Sequence, residues 1–336
     1  MGLDMDVTTI LAFTTAFAVF LYVVMDGFDL GIALLFPLVD DPGDHDIMVN
    51  TIAPVWDGNE TWLVLGGGAV LAGFPLAYAV LMPALYVPVV AMLLGLVFRG
   101  VAFEFRFRSI RRRHWWDRGF VLGSLVAALA QGVALGAILQ GVAVEGRAYA
   151  GGWWDWLTPF TVLTGISVCL GYGLLGASWL ILKTEGRLRD RAYALARPLA
   201  LATLAAIAAV SLATPFLQGD YWRRWFTWPT LAIAAPVPLL TALVALALLR
   251  SLAARRDRWP FVLTLALFAL CFVGLGVSMF PWIVPGALTI HDAAAPETSQ
   301  KFFLVGVILL IPVILVYTAY SYWVFRGKVG ADAGYH

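Results

Sequence analysis

Apolar stretches of membrane-spanning length recur along the whole chain and restrict it to one class of fold. An α-helix needs about 20 apolar residues to cross the hydrocarbon core of a bilayer. Of the 336 residues, 61% are hydrophobic and 13% are charged, against about 25% charged in a soluble domain. The sequence therefore predicts an all-α integral membrane protein with about nine transmembrane helices. These helices are predicted at 7–39, 50–73, 76–105, 118–141, 158–182, 196–217, 229–250, 259–280 and 301–325.

The basic residues predict how these helices are oriented. Four segments hold 17 of the 22 Lys and Arg residues, and all four fall on one side of a nine-helix arrangement; they are 105–118, 183–197, 250–258 and 325–330. The positive-inside rule then predicts an external N-terminus and a cytoplasmic C-terminus. We interpret the basic loops as topology determinants that contact anionic lipid. The net charge of +1 gives no indication of a nucleic-acid partner.

No fixed-period repeat, low-complexity segment or long soluble linker interrupts this pattern. We therefore expect residues 1–336 to form a single integral membrane domain.

Ionisable residues inside the first three predicted helices are the main functional signal. They are Asp26, Asp29, Asp57, Glu60 and Arg99. Each costs several kcal/mol in hydrocarbon unless it is paired, protonated or hydrated, so such residues are usually functional. A three-residue spacing places each pair of acids on one helical face. In the predicted topology all five lie in the cytoplasmic half of the membrane, where they could form one network.

Two interpretations of this cluster remain open. Buried carboxyl groups interleaved with Asn59, Thr61 and water are typical of a proton relay. Alternatively, Arg99 pairs with one or two acids only to hold three helices together. Glycines in DGFDLG and LGGG are explained by close helix packing.

Residues that could bind a cofactor or metal are missing from the predicted helices. The histidines are His45, His114, His291 and His336, and each falls in a predicted loop or at the terminus. A haem buried among membrane helices normally needs an axial histidine from them. Cys169 and Cys271 lack a CxxC spacing and are interpreted as small buried residues. We therefore predict no metal or haem site in this chain.

Several motifs resemble subunit II of the cytochrome bd-type quinol oxidases, including the cyanide-insensitive branch. They are DGFDLG, NTIAPVWDGNETWL, LVFRGVAFEFR, MFPWIVP followed by DAA, and IPVILVYTAYSYWVFRGKV. The motifs lie towards both ends of the chain, whereas residues 140–260 match only in hydropathy.

The resemblance implies a fold, a reaction and a set of partners. It implies two four-helix bundles plus one peripheral helix, in a heterodimeric bacterial inner-membrane oxidase that takes electrons from ubiquinol or another quinol and reduces dioxygen. Haem b, haem d and the principal quinol site are expected in subunit I, with small single-helix accessory subunits as further candidates. Subunit II is expected to support subunit I and to help deliver cytoplasmic protons to the haems.

The resemblance also assigns roles to the cluster. Asp57 with neighbouring Trp56, and Asp26 and Asp29, are the candidates for the proton path. Many relatives have glutamine at the position of Glu60, so Glu60 is expected only to tune the network. Arg99 is expected either to anchor subunit I or to set the pKa of Asp57.

Two rival functions follow from the same residues. A proton-coupled secondary transporter would use buried acids as its coupling site, but such folds commonly show repeated halves, and here the acids have no counterpart in the second half of the chain. A passive assembly scaffold for a haem-bearing partner is the second rival.

Overall fold

The computed structural model describes residues 6–109 and 111–330, and this part of the chain is almost entirely helical. Short antiparallel hairpins, β1–β2 and β3–β4, occupy two of the connections. The strands are β1 (Val144–Glu145), β2 (Ala148–Tyr149), β3 (Trp282–Val284) and β4 (Leu288–Thr289). The helices are α1 (Val7–Leu35), α2 (Pro42–Ile52), α3 (Trp56–Gly73), α4 (Pro75–Ala84), α5 (Tyr86–Arg108), α6 (Arg113–Gln140), α7 (Pro159–Lys183), α8 (Gly186–Ala213), α9 (Gly219–Phe226), α10 (Thr230–Ala234), α11 (Pro236–Ala253), α12 (Trp259–Met279) and α13 (Glu297–Val324).

Within the described ranges, eight helical segments are long and apolar enough to cross a membrane, and α3 with α4 makes a ninth crossing if that bent pair is one span. The two helices meet at an angle of 119°. Pro75 opens α4, and proline disfavours helical backbone at the residue before it. The prediction of an all-α membrane protein with about nine crossings is confirmed.

Two predicted helices have different bounds in the structure. The helix predicted at 50–73 begins at Trp56, because Pro54 lies in a turn that separates it from α2. The helix predicted at 76–105 is divided at Leu85 into α4 and α5. Hydropathy alone did not reveal these breaks, since the interrupting residues are themselves apolar or neutral.

Other bounds differ where basic or proline residues occur. α6 begins at Arg113 instead of 118, and α8 begins at Gly186 instead of 196. Arginine stems can lie along a helix while their charged ends reach water, so the helix extends past its apolar window. The helix predicted at 229–250 is interrupted before Pro236, which opens α11.

Among the described residues, the nine longest helices pack as two groups of four with one helix outside them. The first group contains α1, α3, α5 and α6, and the second contains α7, α8, α11 and α12. α13 packs lightly against α1 and α3 and is mostly exposed. The groups meet where α7 packs against α1 and α6. Gly31 and Gly176 allow the backbones of α1 and α7 to touch, and Gly132 and Gly165 do the same for α6 and α7. This is the expected arrangement of two four-helix bundles and a peripheral helix.

Side-chain contacts show which loops share an end of the molecule. At the end predicted to be cytoplasmic, the loops are joined by Arg187 to Asp41 and Asp44, Arg191 to the carbonyl of Leu38, and Lys328 to Asp257. At the opposite end, His291 pairs with Asp6 at 2.8 Å, and Gln218 donates to the carbonyl of Gln140. The loops are therefore grouped as a nine-crossing topology requires. Which end faces the cytoplasm stays a prediction.

Candidate functional site

A buried arginine on α5 is the centre of the candidate site. Arg99 is 1% exposed. Its Nη1 lies 2.5 Å from Asp26 Oδ1 on α1, and its Nη2 contacts Glu60 Oε1 on α3. Asp26 is also buried, whereas the side chain of Glu60 is 29% exposed. The ion pairs therefore join three helices. Of the two paired acids, Glu60 is the one that is accessible from outside the cluster.

The third acid of the cluster is held by a neutral group instead of the arginine. Asp29 is fully buried, and its Oδ2 accepts a hydrogen bond of 2.7 Å from Asn59 Nδ2. Asn59 Oδ1 accepts a hydrogen bond of 2.9 Å from the hydroxyl of Tyr322 on α13. Among the described residues, Asp26 Oδ2 and Asp29 Oδ1 have no hydrogen-bond partner. One oxygen of each carboxyl is thus available to a proton or to water.

Trp56 covers the arginine from one side. The Arg99 guanidinium carbon lies 5.9 Å from the centre of the indole ring, and the ring packs against Phe103 with centroids 4.9 Å apart. A cation near an aromatic face is stabilised by the ring quadrupole. The start of α3 therefore shields the ion pairs, and Glu60, on the next turn of the same helix, is one of their acids.

Asp57 lies beside this buried cluster. It is in the first turn of α3, where a negative charge is favoured by the helix dipole, and it is exposed in the isolated chain. The structure thus brings together Asp26, Asp29, Glu60, Arg99 and Asn59, whereas Asp57 lies about one turn before Glu60 on α3. That Asp57 belongs to the same network stays a prediction.

A second polar chain was not predicted from the sequence. Gln131 on α6 donates to the hydroxyl of Tyr22 at 2.7 Å and accepts from the hydroxyl of Tyr172 on α7 at 2.6 Å. Tyr22 precedes Asp26 by one helical turn, so this chain adjoins the acid cluster. A glutamine and two tyrosines in separate apolar stretches gave no spacing from which to pair them.

Two further charged residues lie near the C-terminal end of α5. Glu104 lies within the predicted helix 76–105 and is partly buried. Arg106 was grouped with the basic loop, yet it is 2% exposed and pairs with Asp46 at 2.7 Å and Asp117 at 2.5 Å. Arg106 therefore joins α5 to α2 and α6. Composition does not report burial, so nothing in the sequence distinguishes Arg106 from the other basic residues of this segment.

The histidines lie at the ends of the molecule. His45 and His114 were predicted in loops but lie in α2 and in the first turn of α6. Nε2 of His45 contacts the carbonyls of Phe36 and Val39, and His291 pairs with Asp6; His336 is outside the described residues. In the described part of the chain, no group of three His, Cys, Asp or Glu side chains is arranged to hold a metal.

Membrane-length helices around a buried arginine–carboxyl cluster define the class, a polytopic helical membrane protein with a polar core. The family follows from comparison with known proteins. The model described as "Cytochrome bd terminal oxidase subunit II" matches residues 7–325. The chain belongs to this family, and the predicted family resemblance is confirmed.

Individual relatives agree with the family assignment. The chain is 33% identical over 348 residues to "Cytochrome bd-I ubiquinol oxidase subunit 2" of Escherichia coli K12, covering 92% of this chain and 91% of that protein. It is 28% identical over 322 residues to "Cytochrome bd ubiquinol oxidase subunit 2" of Bacillus subtilis, covering 91% of each. A chain in the structure of bd oxidase from Geobacillus thermodenitrificans has the same fold, with a TM-score of 0.77, 19% identity and coverage of 95% and 97%.

Membership of the family establishes the general role. The chain is a subunit II of a bd-type quinol oxidase, and so part of an oxidoreductase complex in the bacterial inner membrane. The family implies a subunit I as partner, and haems and a quinol in the complex.

Proposed function

We propose that this chain is the haem-free subunit II of the oxidase, that it supports subunit I, and that it helps conduct cytoplasmic protons towards the oxygen-reducing haems. One observation carries the proposal: the buried cluster in which Arg99 pairs with Asp26 and Glu60 while Asn59 holds Asp29. We treat the chain as one integral domain with its N-terminus outside.

The charge balance of the cluster supports proton transfer. One guanidinium faces three carboxyl groups, and an uncompensated charge in a membrane interior costs several kcal/mol. The cluster therefore approaches neutrality only when some of its acids carry protons. Asp26 and Asp29 each have an oxygen without a protein hydrogen bond. Such a cluster accepts and releases protons without a large change in structure.

The exposure of the acids suggests the order in which a proton meets them. Asp57 is exposed, Glu60 is partly exposed one turn further along α3, and Asp26 and Asp29 are buried. We propose that a proton passes from Asp57 to Glu60 and then to the buried acids. Quinol oxidation would release protons outside while oxygen reduction consumes protons from inside, so charge separates without a pumping step.

We place the haems in subunit I because the residues of this chain do not fit their ligation. The described histidines lie at helix ends or in loops and contact carbonyls, a carboxylate or an indole ring, whereas a buried haem needs an axial ligand among the helices. We propose that subunit I covers the exposed face of α3, which carries Asp57, Thr61, Gly67 and Gly68. Small residues let membrane helices approach closely.

Glu60→Gln and Asp57→Asn in the assembled complex test the proton path. Both substitutions keep side-chain volume and remove the proton-binding group. We expect normal haem content with slower quinol-dependent oxygen uptake and slower charge separation in proteoliposomes. Glu145→Gln, in the exposed β1–β2 hairpin, is the matched control and should leave both rates unchanged. Normal rates in both path variants would favour a passive scaffold.

A second experiment tests the division of cofactors. The chain purified alone should show no haem Soret band. Co-purification with subunit I should give b-type and d-type spectra and quinol-dependent oxygen uptake. Stoichiometric haem in the lone chain would refute the assignment.

A further inference from the structure

Tyr322, near the end of the peripheral helix α13, reaches the acid cluster. Its hydroxyl donates to Asn59 Oδ1 at 2.9 Å, although the two residues are 263 positions apart in the chain. The proposed proton path makes no use of this contact. Tyr322 is therefore a polar group from outside the first bundle that contacts the site.

The hydrogen bonds around Asn59 fix the orientation of its amide. Nδ2 lies 3.3 Å from the carbonyl oxygen of Met25 and 2.7 Å from Asp29 Oδ2. A backbone carbonyl can only accept, so the nitrogen must face Met25. Oδ1 then faces Tyr322, whose hydroxyl can donate. Each group determines the orientation of the next, as expected in a buried hydrogen-bond chain.

The phenol ring is itself held in place. It packs edge-on against Phe28 and Trp179, with ring centroids 6.4 Å and 6.1 Å away. The following residues, 325–330, form a C-terminal strap across the inner ends of α7 and the α11–α12 loop. The strap is held by Val329 N to Lys183 O (2.8 Å), Lys183 Nζ to Phe325 O, Lys328 Nζ to Thr184 O (3.1 Å) and Lys328 Nζ to Asp257 Oδ2 (3.0 Å).

From this geometry we infer that Tyr322 is a positioning residue for the proton relay. Its hydroxyl holds the Asn59 amide so that the NH₂ group faces Asp29, and α13 with its C-terminal strap holds Tyr322 in position. The inference rests on the proposed function, because it assigns Tyr322 a role at that same site. It also assigns the peripheral helix α13 a role in positioning the relay.

Tyr322→Phe in the complex assembled with subunit I is the primary test. The substitution removes one oxygen atom and keeps the ring. We expect normal haem content, an unchanged KM for quinol and a kcat lowered roughly 2- to 10-fold, the range that loss of one hydrogen bond gives. The control is Tyr320→Phe on the same helix, since Tyr320 is 61% exposed. Turnover is expressed per haem, so that incomplete assembly of the complex is not mistaken for a lowered kcat.

Infrared difference spectroscopy adds a readout that a purely structural role would not change. The band of protonated carboxyl groups that disappears in Asp29→Asn is assigned to Asp29, and Tyr322→Phe should shift that band while Tyr320→Phe leaves it in place. The double variant Tyr322→Phe/Asp29→Asn should be no slower than Asp29→Asn alone, because residues acting through one chain are not additive.

The outcomes separate the two proposals. If Asp29→Asn slows turnover while Tyr322→Phe leaves both kcat and the Asp29 band unchanged, the inference about Tyr322 fails and the proton path stands. If Asp29→Asn itself has no effect on turnover, the role of Asp29 in the path fails. Should Tyr322→Phe not assemble, Asn59→Leu removes the middle link and keeps the number of side-chain heavy atoms, and unchanged turnover per haem in that variant would overturn the inference.

Discussion

At the scale of single residues, Arg99 has the largest energetic influence on the site. Burying an ion pair costs desolvation energy that roughly offsets its attraction, so the pairs with Asp26 and Glu60 are weak evidence for stability. Removing one partner is different, since it leaves a buried charge without compensation at a cost of about 3–5 kcal/mol. Arg99 therefore matters chiefly because its loss would leave three acids without a compensating positive charge.

Arg99→Gln should destabilise the chain strongly, by about 3–5 kcal/mol, and lower the yield of assembled oxidase. Adding Asp26→Asn should restore part of the loss, because it removes one of the uncompensated acids. Thermal unfolding of the purified complex and its haem content measure both effects.

Arg108→Gln is the matched control for Arg99→Gln, since Arg108 lies on the same helix and is exposed. It should change stability little. If the double variant Arg99→Gln/Asp26→Asn is less stable than Arg99→Gln alone, Asp26 is not held by the arginine charge.

Asp6 gives a pH-dependent prediction outside the membrane helices. A hydrogen bond from the backbone N–H of Thr9, and then one from His291, lower the pKa of Asp6 from 3.8 to about 2. A lowered pKa in the folded state stabilises the fold above the unfolded value and loses that contribution as pH falls through the folded value. Relative to the native chain, Asp6→Asn should be less stable above about pH 4, and this difference should shrink between about pH 4 and 2.

Thermal unfolding of the chain in detergent across this pH range measures the difference. Asp6 caps α1, and asparagine also caps helices well, whereas alanine does not. Asp6→Ala should therefore be the less stable variant above about pH 4. A difference between the native chain and Asp6→Asn that stays constant down to pH 2 would contradict the assignment.

Five of the predicted site residues meet because helical geometry and the cost of burying charge both act locally; they are Asp26, Asp29, Asn59, Glu60 and Arg99. Asp26 and Glu60 had to find a cation, and Arg99 was the one available within the first three predicted helices. Asp57 lies in the first turn of α3, because that helix begins at Trp56 instead of at 50. Tyr322 and Gln131 could not be predicted, because their partners lie 263 and up to 109 positions away.

At the scale of helices, glycines decide how closely the two bundles approach. A Cβ atom at Gly31 would overlap the carbonyl oxygen of Tyr172, and one at Gly176 would lie 2.6 Å from Ile32 N. These contacts are between backbones, so no side chain can rotate away. The DGFDLG motif therefore supplies one of the contacts between the bundles as well as two acids.

Gly31→Ala should separate α1 from α7 and destabilise the chain by about 1–3 kcal/mol or more, the usual cost of overpacking. Asp26 and Asp29 lie on the displaced helix, so turnover per haem should fall as well. Gly306→Ala is the control, because a Cβ there would meet nothing within 4 Å. Equal thermal stability of the two variants would show that the α1–α7 contact can adjust.

Sequence patterns predicted helix number better than helix continuity. Hydropathy integrates over a window, so the interruptions at Pro54 and Pro236 did not change the average, whereas the boundary at Pro75 was predicted. The proline rule marks Pro54 and Pro236 as probable helix boundaries. Applied residue by residue, it would also have divided α8 at Pro198 and α13 at Pro312, where the helices continue, and neither pattern gives the 119° bend between α3 and α4.

At the scale of the whole molecule, one end carries most of the charge. Ion pairs there join the α1–α2 loop to α8, and the C-terminal strap to the α11–α12 loop. Burial raises the pKa of Asp257, but hydrogen bonds from Lys328 and Tyr193 outweigh it, so the pKa of this carboxyl lies below its usual value. The basic end is therefore a structural unit as well as a topology signal.

Orientation in the membrane is the prediction on which the direction of proton delivery depends. If the basic end is cytoplasmic, Arg256→Cys in the α11–α12 loop should react with a membrane-impermeant thiol reagent only after the cells are opened. Arg147→Cys in the β1–β2 hairpin should react once the reagent reaches the outer face of the inner membrane. Both residues are exposed, and Cys169 and Cys271 lie within helices and are partly buried, so the native chain is the control for background labelling.

The reverse pattern would place the basic end outside. The acid cluster would then open towards the external phase, and the same residues would deliver protons from the side on which quinol oxidation releases them. Oxygen reduction would no longer separate charge through this chain. Labelling at Arg147→Cys and Arg256→Cys therefore tests the direction of proton delivery independently of any change in turnover.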